Sequence, residues 1–328
     1  MATIKDVAKH SNVSIATVSR IINNRGPISS TTRQKVYDSM KVLNYQPNEM
    51  ARALQKQKSN IIGLIVPSIE YAFFSRLIEA IEETCHSNGY KLMLCRSAEN
   101  EDREIEMVSM LEGNKVDGII LCSRLGDASI YAGKTMPIVS IDRNIEGFST
   151  VTSDNYNGGT LAAKELFKVG CKRPVLFGIK IPEYMAMNDR NIGFFEECKK
   201  LGLNPQHLCA SDALIDEENI VQSFLKGMDQ YQDVDGLFIT SDMIAAKIIC
   251  DQEVRKRGTL NRMPIISYDG LEISKLLDIT TIEQPIYEMG VCATEQVIRG
   301  IKGKVMHTRS ILPVRLNERS STNQYKNC

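Results

Sequence analysis

The sequence predicts an α/β protein in two parts: a small N-terminal helical headpiece of helix-turn-helix type, and a large body of parallel sheets flanked by helices. Three observations predict it. The first 46 residues carry short helical patterns broken by a three-residue turn, and from Ile61 onward short apolar runs alternate with helical stretches. The composition, 43% hydrophobic and 24% charged over 328 residues, suits a chain that buries an ordinary core without disulfide or metal staples.

The headpiece opens with a helix over residues 4–10. Thr3 is its N-cap and Asp6 stands three residues on, the spacing of a capping box with Asp in place of the usual Glu. Ile4, Val7 and Ala8 then share an inner face. Ser11-Asn12-Val13 makes the turn, because asparagine tolerates the left-handed conformation that a tight connection requires. Ser14 caps a second helix over 15–23, whose Val18, Ile21 and Ile22 fall at i, i+3 and i+4 and face inward. A third helix is expected over 30–43, with Val36, Met40 and Leu43 closing the small core.

The second helix leaves Ile15, Ala16, Ser19 and Arg20 pointing outward. Such a face fits a DNA major groove: Arg20 has the donors to pair bidentately with guanine, and Ile15 and Ala16 suit thymine methyls. Hydroxyl and amide groups at Ser29, Thr32, Tyr45 and Asn48 suit phosphate contacts, and Thr3, Ser14, Thr17 and Asn23 complete the candidate set.

Charge supports that assignment only after it is divided. Forty Lys and Arg balance forty Asp and Glu, yet residues 1–60 hold ten basic and three acidic residues, a net of +7 that leaves −7 for the rest. A compact basic module joined to an acidic body suits contact with a polyanion, with an inert basic face as the alternative.

Several function classes are disfavoured. The nine cysteines are scattered and never spaced as C-x-x-C, and the four histidines form no ligand pattern, so neither a metal nor a cofactor is expected. No apolar run approaches a membrane span, and MATIKDVAKH lacks the apolar core of a signal peptide, so a soluble cytoplasmic protein is expected. An enzyme is not expected: there is no nucleophile elbow and no phosphate loop, and Gly158-Gly159 reads as a helix start without G-x-G-x-x-G spacing.

In the body, strands are expected over 61–67, 91–97, 118–122, 137–142, 175–179, 236–240 and 265–268. Helices are expected over 74–88, 102–112, 158–169 and 192–201. Two such sheets leave a cleft between their carboxyl edges, where small ligands bind.

The segment TIKDVAKHSNVSIATVSRIIN resembles the amino-terminal signature of the LacI/GalR family of bacterial transcriptional regulators, with Asn12 where many members have Gly. Tyr45-Gln46-Pro47-Asn48 followed by Ala51-Arg52-Ala53-Leu54 is similar to the linker of that family, a hinge helix that orders on operator DNA. The resemblance implies a helix-turn-helix DNA-binding domain over 1–46, a hinge and linker over 47–60, and an effector-binding and dimerisation domain over 61–320. That domain is expected to be a two-subdomain periplasmic-binding-protein-like (type I) body with three crossings. Its first subdomain covers about 61–154 and 285–312, its second about 155–284 and 313–320, and the polar tail 321–328 is expected to be disordered.

The resemblance also implies site residues. Leu54 matches the leucine that wedges into the minor groove at the operator centre, with Asn48 and Ala51 beside it. Phe73 and Phe74 match aromatic positions against the effector, and Asp142 a polar position facing it. Arg190 matches an arginine that forks onto sugar hydroxyls or an acidic group, and Asp269 in Ser267-Tyr268-Asp269 matches the acceptor of a G-Y-D motif. Ser241 stands where Asn is frequent. Two acceptor carboxylates with one arginine suit a neutral polyol better than a purine or nucleotide, which points to a sugar; the effector expected as a partner is a sugar or sugar phosphate.

Ile141-Asp142-Arg143-Asn144 and Ser153-Asp154-Asn155 with Gly158-Gly159 are most similar to sucrose-operon-type repressors within the family. The function implied is a homodimeric repressor of a carbohydrate-utilisation operon on a palindromic operator, its affinity set by a cleft-bound sugar. A purine or other metabolite acting as co-repressor is the alternative, and a transporter-associated sugar-binding protein the third reading. The +7 module predicts a steep salt dependence: anisotropy titrations with duplex DNA are expected to show affinity falling by about a thousandfold between about 50 and 200 mM salt. A flat titration contradicts the polyanion assignment.

Overall fold

A computed structural model of the protein describes residues 2–46, 58–123, 129–131, 133–145, 147–210, 217–231, 233–261 and 263–325. Asn48, Ala51 and Leu54, the expected hinge contacts, lie outside the described residues. The chain divides into two units, Met1–Asn60 and Ile61–Cys328.

Among the described residues, three helices build the first unit: α1 (Ile4–Ser11), α2 (Ile15–Ile22) and α3 (Ser30–Val42). The capping box closes as expected, Thr3 N donating to Asp6 Oδ2 at 2.8 Å and Asp6 N to Thr3 Oγ1 at 3.4 Å. The Thr3 hydroxyl also donates to Asp6 Oδ2, at 2.7 Å, and that bond, with the one from Thr3 N, holds the Asp6 carboxylate below its ordinary pKa. Asn12 is left-handed, φ 53°, and its N–H reaches back to the Ala8 and Lys9 carbonyls. Two further serines repeat the N-cap: Ser14 Oγ accepts from Thr17 N at 3.1 Å and Ser29 Oγ from Thr32 N at 3.2 Å. Helices this short do not persist alone; Val7, Ala8, Val18, Ile21 and Val36 pack into one core that holds them, with Met40 and Leu43 against it.

The second unit contains two six-stranded sheets. In the first, β1 (Ile61–Val66), β2 (Lys91–Arg96), β3 (Gly118–Leu121), β4 (Ile138–Ile141) and β5 (Ser149–Ser153) are joined by β11 (Arg309–Leu312), all parallel, in the order β11-β5-β4-β3-β1-β2. The second sheet has β6 (Pro174–Ile179), β7 (Gln206–Ala210), β8 (Gly236–Ile239), β9 (Ile265–Asp269), β10 (Thr280–Glu283) and β12 (Arg315–Asn317), in the order β12-β10-β9-β8-β6-β7. Only β12 runs antiparallel to its neighbour. The helices of this unit are α4 (Ala72–Ser87), α5 (Glu101–Gly113), α6 (Asn155–Lys168), α7 (Asp189–Lys200), α8 (Glu217–Gln230), α9 (Asp242–Cys250), α10 (Gln252–Arg257), α11 (Glu272–Leu276), α12 (Ile286–Ile301) and α13 (Ser320–Asn323).

The chain passes between the two lobes at Asp154, at Gln284-Pro285 and at Pro313-Val314. β1, β3, β4, β8 and β9 are buried almost throughout, as parallel strands covered on both faces must be, and they are the apolar runs that the sequence exposes most plainly. β5 and β10 were not expected. Their Ser and Thr side chains are buried yet hydrogen-bonded, Ser149 Oγ to the His307 carbonyl at 2.6 Å and Thr281 Oγ1 to Asp242 Oδ1 at 2.7 Å.

The tail corrects an expectation. Residues 321–325 are ordered, because their polar groups complete the second sheet: Ser321 Oγ donates to the Ile265 carbonyl at 2.6 Å and accepts from Thr280 N at 2.8 Å, while buried Thr322 pairs with Thr280 Oγ1 at 2.7 Å. Residues 326–328 lie outside the described residues.

Gly158-Gly159 opens no ligand loop. A Cβ on Gly159 would collide with the Arg190 carbonyl, one on Gly193 with the Tyr156 carbonyl, and one on Gly158 with the Tyr268 hydroxyl. α6 and α7 therefore cross with their backbones touching. Gly159→Ala is expected to destabilise the body by about 3 kcal/mol, read as a lower denaturant midpoint; an unchanged midpoint means the helices separate freely.

Candidate functional site

On the first unit, Ser14, Ala16 and Arg20 are exposed, Ile15 is 45% exposed, and Thr17 and Ser19 are half-buried beside them. An apolar side chain this open at the start of α2 is unsupported by the core, so the helix presents an outward face of small and apolar residues with one arginine. Thr3, Ser29 and Thr32 stand at the starts of α1 and α3, with the Thr3 N–H and hydroxyl taken up by Asp6 and the Ser29 hydroxyl 2.8 Å from that of Thr32. Two residues are turned inward. Asn23 Nδ2 donates to the Ser19 carbonyl at 2.8 Å, and the Tyr45 ring packs against the headpiece core.

In the second unit, Phe73, Phe74, Asp142, Arg190, Ser241 and Asp269 line one cavity of about 1050 Å³, counted out to its open mouth. The fold explains the convergence. Asp142 follows β4, Ser241 follows β8, Asp269 ends β9, and Gln284 follows β10, so the carboxyl edges of both sheets supply the polar groups. Phe73 and Phe74 come from the first turn of α4, edge to face with centroids 5.2 Å apart. The lobes also touch beside the cavity, where Ala186 N donates to the Asp142 carbonyl at 3.1 Å and Arg143 bridges Met185.

Arg190 is 2% exposed and lines the cavity. Its Nε and one terminal nitrogen both donate to Asn155 Oδ1, at 2.9 and 2.7 Å, and its other terminal nitrogen donates to the Thr240 carbonyl at 3.0 Å and lies 4.0 Å from Asp269. The guanidinium stacks on Tyr268, 3.7 Å from the ring centroid. The fork expected to grip ligand is thus engaged by Asn155. What faces the cavity is the edge nearest Asp269.

Asp269 takes hydrogen bonds on both oxygens, from Gln284 Nε2 at 2.8 Å and Ser241 Oγ at 3.0 Å. Burial, and then repulsion from the Asp242 carboxylate, lift its pKa from an ordinary 3.8 to about 7, against the opposing pull of Arg190, Ser241 and Gln284. Asp242 is fully buried and pushed upward by burial, while Ser267, Thr281 and the Leu271 N–H all donate to it. Of the two carboxyls, Asp242 has the better-supplied site for a negative charge.

Residues 3–48 match the family model for bacterial regulatory proteins of the lacI family, and residues 59–320 that for periplasmic binding proteins and the sugar binding domain of the LacI family. The chain belongs to the LacI family. It is 35% identical over 319 residues to the sucrose operon repressor of Streptococcus mutans, covering 96% of this chain and 98% of that protein. It is 33% identical over 327 residues to the ribose operon repressor of Halalkalibacterium halodurans, covering 98% and 97%. Its fold matches a crystal structure of the Lac repressor dimer bound to operator and the anti-inducer ONPF, with a TM-score of 0.84, 21% identity, and coverage of 98% of this chain and 99% of that one.

For this LacI-family cleft, reading the sequence missed Tyr71, Gln284, Lys247 and the methionines Met185, Met187 and Met243, all of which line it. Gln284 was the findable one: it directly follows Thr-Thr-Ile-Glu, a strand whose hydroxyl side chains hide its period. Among the described residues no helix is long and apolar enough to cross a membrane, and no group of three His, Cys, Asp or Glu is placed to hold a metal.

The raised pKa of Asp269 carries a sign. Between about pH 4 and pH 7 the folded chain keeps a proton that the unfolded chain has released, so this residue makes stability fall as pH rises through that window. Asp269→Asn is expected to flatten that part of the profile in urea denaturation at stepped pH. An unchanged slope places the proton elsewhere.

Proposed function

We propose that the protein is a homodimeric repressor of a carbohydrate-utilisation operon, reading palindromic operator DNA with α2 and binding a small carbohydrate in the cleft of the body. One observation carries the effector half of this reading: two acceptor carboxylates, a buried arginine and an aromatic pair drawn from both lobes meet in a single cavity. Asp142 and Asp269 accept from hydroxyl donors, and Phe73 and Phe74 suit the C–H face of a sugar ring. The ribose and sucrose operon repressors it resembles support a carbohydrate over a purine. The exposed Ile15, Ala16 and Arg20 support the DNA half.

Dimerisation follows from function. A palindrome presents two equal half-sites, and a twofold pair of headpieces matches it. Effector and operator are coupled by about 1 to 3 kcal/mol, acting equally on both affinities. The test is a thermal-shift screen of neutral sugars, purine bases and nucleotides, with and without a duplex taken from the region flanking the protein's own gene. A neutral sugar is expected to raise the melting temperature, Asp269→Ala to abolish the response, and operator duplex to change it. A response confined to purines or nucleotides overturns the carbohydrate reading.

A further inference from the structure

We propose that the effector is an amphiphilic carbohydrate, a glycoside whose sugar carries an apolar substituent, in preference to the free, fully hydroxylated sugar. This rests on the reading of the cleft as a carbohydrate site.

The first argument is that the polar groups of the cleft are already largely engaged with one another. Arg190 gives three of its nitrogen donors to Asn155 and Thr240, Asp269 accepts on both oxygens, and Asp142 Oδ1 accepts from Thr152 Oγ1 at 2.7 Å. Gln284 is held at both ends, its Oε1 accepting from Ser153 at 2.7 Å. Lys247 also has a partner. A free hexose brings about five hydroxyls, and each one buried without a partner carries a penalty of about 1–3 kcal/mol. The cleft can satisfy some of them, on the side of Asp142, Asp269 and the Arg190 edge.

The second argument is the wall that remains. Ile179, Ile220 and Ile244 line the cavity as part of one apolar cluster of the second lobe, and Phe73, Phe74 and Met243 as part of the cluster reaching from the first. Ile181 and Met187, on the connection between β6 and α7, are half-buried cavity residues outside those clusters. Two apolar walls facing one space give a hydroxyl nothing to bond, whereas an alkyl or aryl group gains by leaving water there. The polar set fixes the sugar, and these walls take its aglycone.

Calorimetry on the full-length protein tests this with matched probes: D-glucose, D-galactose, D-xylose and D-ribose against their methyl and phenyl β-glycosides and their terminal phosphates. At least one phenyl glycoside is expected to bind at least about tenfold tighter than its parent sugar, a difference set by the apolar area it buries. Ile181→Asn is expected to bring that ratio near unity and Ile181→Leu to restore it. Ile181 packs in no core cluster, and Met187→Gln provides a second variant should Ile181→Asn fold poorly. The proposal is overturned if every parent sugar binds as tightly as its glycosides, if a phosphate ester binds tightest, or if no glycoside binds. A response to purine bases alone removes the carbohydrate reading itself, a different outcome from a preference for free sugar.

Discussion

The second lobe of the body is organised around a buried cation, Arg190. A guanidinium taken out of water without partners carries a penalty of several kcal/mol, and Arg190 at 2% exposure survives only because its surroundings replace that water. Asn155 accepts twice from the start of α6, the Thr240 carbonyl accepts from the end of β8, Tyr268 offers its ring from β9, and Asp269 supplies the counter-charge. The helix that carries the arginine is fixed in turn by the crossing of α6 and α7. With Gly159 against the Arg190 carbonyl and Gly193 against the Tyr156 carbonyl, the helix that carries the arginine has one available position.

That arrangement favours binding over stability. Asp269 adopts φ 122°, a conformation that non-glycine residues rarely hold, and its carboxyl is lifted to about 7. Strain and a carboxyl raised by burial both oppose folding, and such residues persist where the surroundings over-determine them. The surroundings here are Gln284, Ser241 and Arg190, which fix the carboxyl in place before any ligand arrives. Fixing the polar end of a site in advance lowers the entropy lost on binding.

Much of this was legible in the sequence, for identifiable reasons. The headpiece helices announce themselves through caps, Thr3 with Asp6 and Ser14 with Thr17, which act over three residues and so need no tertiary knowledge. The central strands are continuous apolar runs. What stayed hidden depends on distant partners: β5 and β10 are strands of Ser and Thr whose hydroxyls are satisfied across the sheet, and the tail is polar because it bonds to Ile265 and Thr280. Gly158-Gly159 read as a helix start because the colliding groups, Tyr268 and Arg190, come from elsewhere in the chain. The six effector positions came from family resemblance, and periodicity would not have found them. The resemblance also supplied Arg190, which lines the cavity while donating to Asn155.

The polar end of the cleft is also joined to the lobe crossings. Gln284 lies in the second crossing, donates to Asp269 and accepts from Ser153, which precedes the first crossing at Asp154; Asp154 N in turn donates to the Leu312 carbonyl at 2.7 Å, at the threshold of the third. One chain of hydrogen bonds therefore runs from the acceptor carboxyl through all three connections between the lobes. Ligand changes a conformational equilibrium only by the difference in its contact energy between the two arrangements. Asp142 from one lobe and Asp269 from the other line the same cavity. A ligand bridging both carboxyls would favour the lobe spacing that brings them within its reach, and the bonds of Gln284, Ser153 and Asp154 tie the three crossings to the same carboxyl.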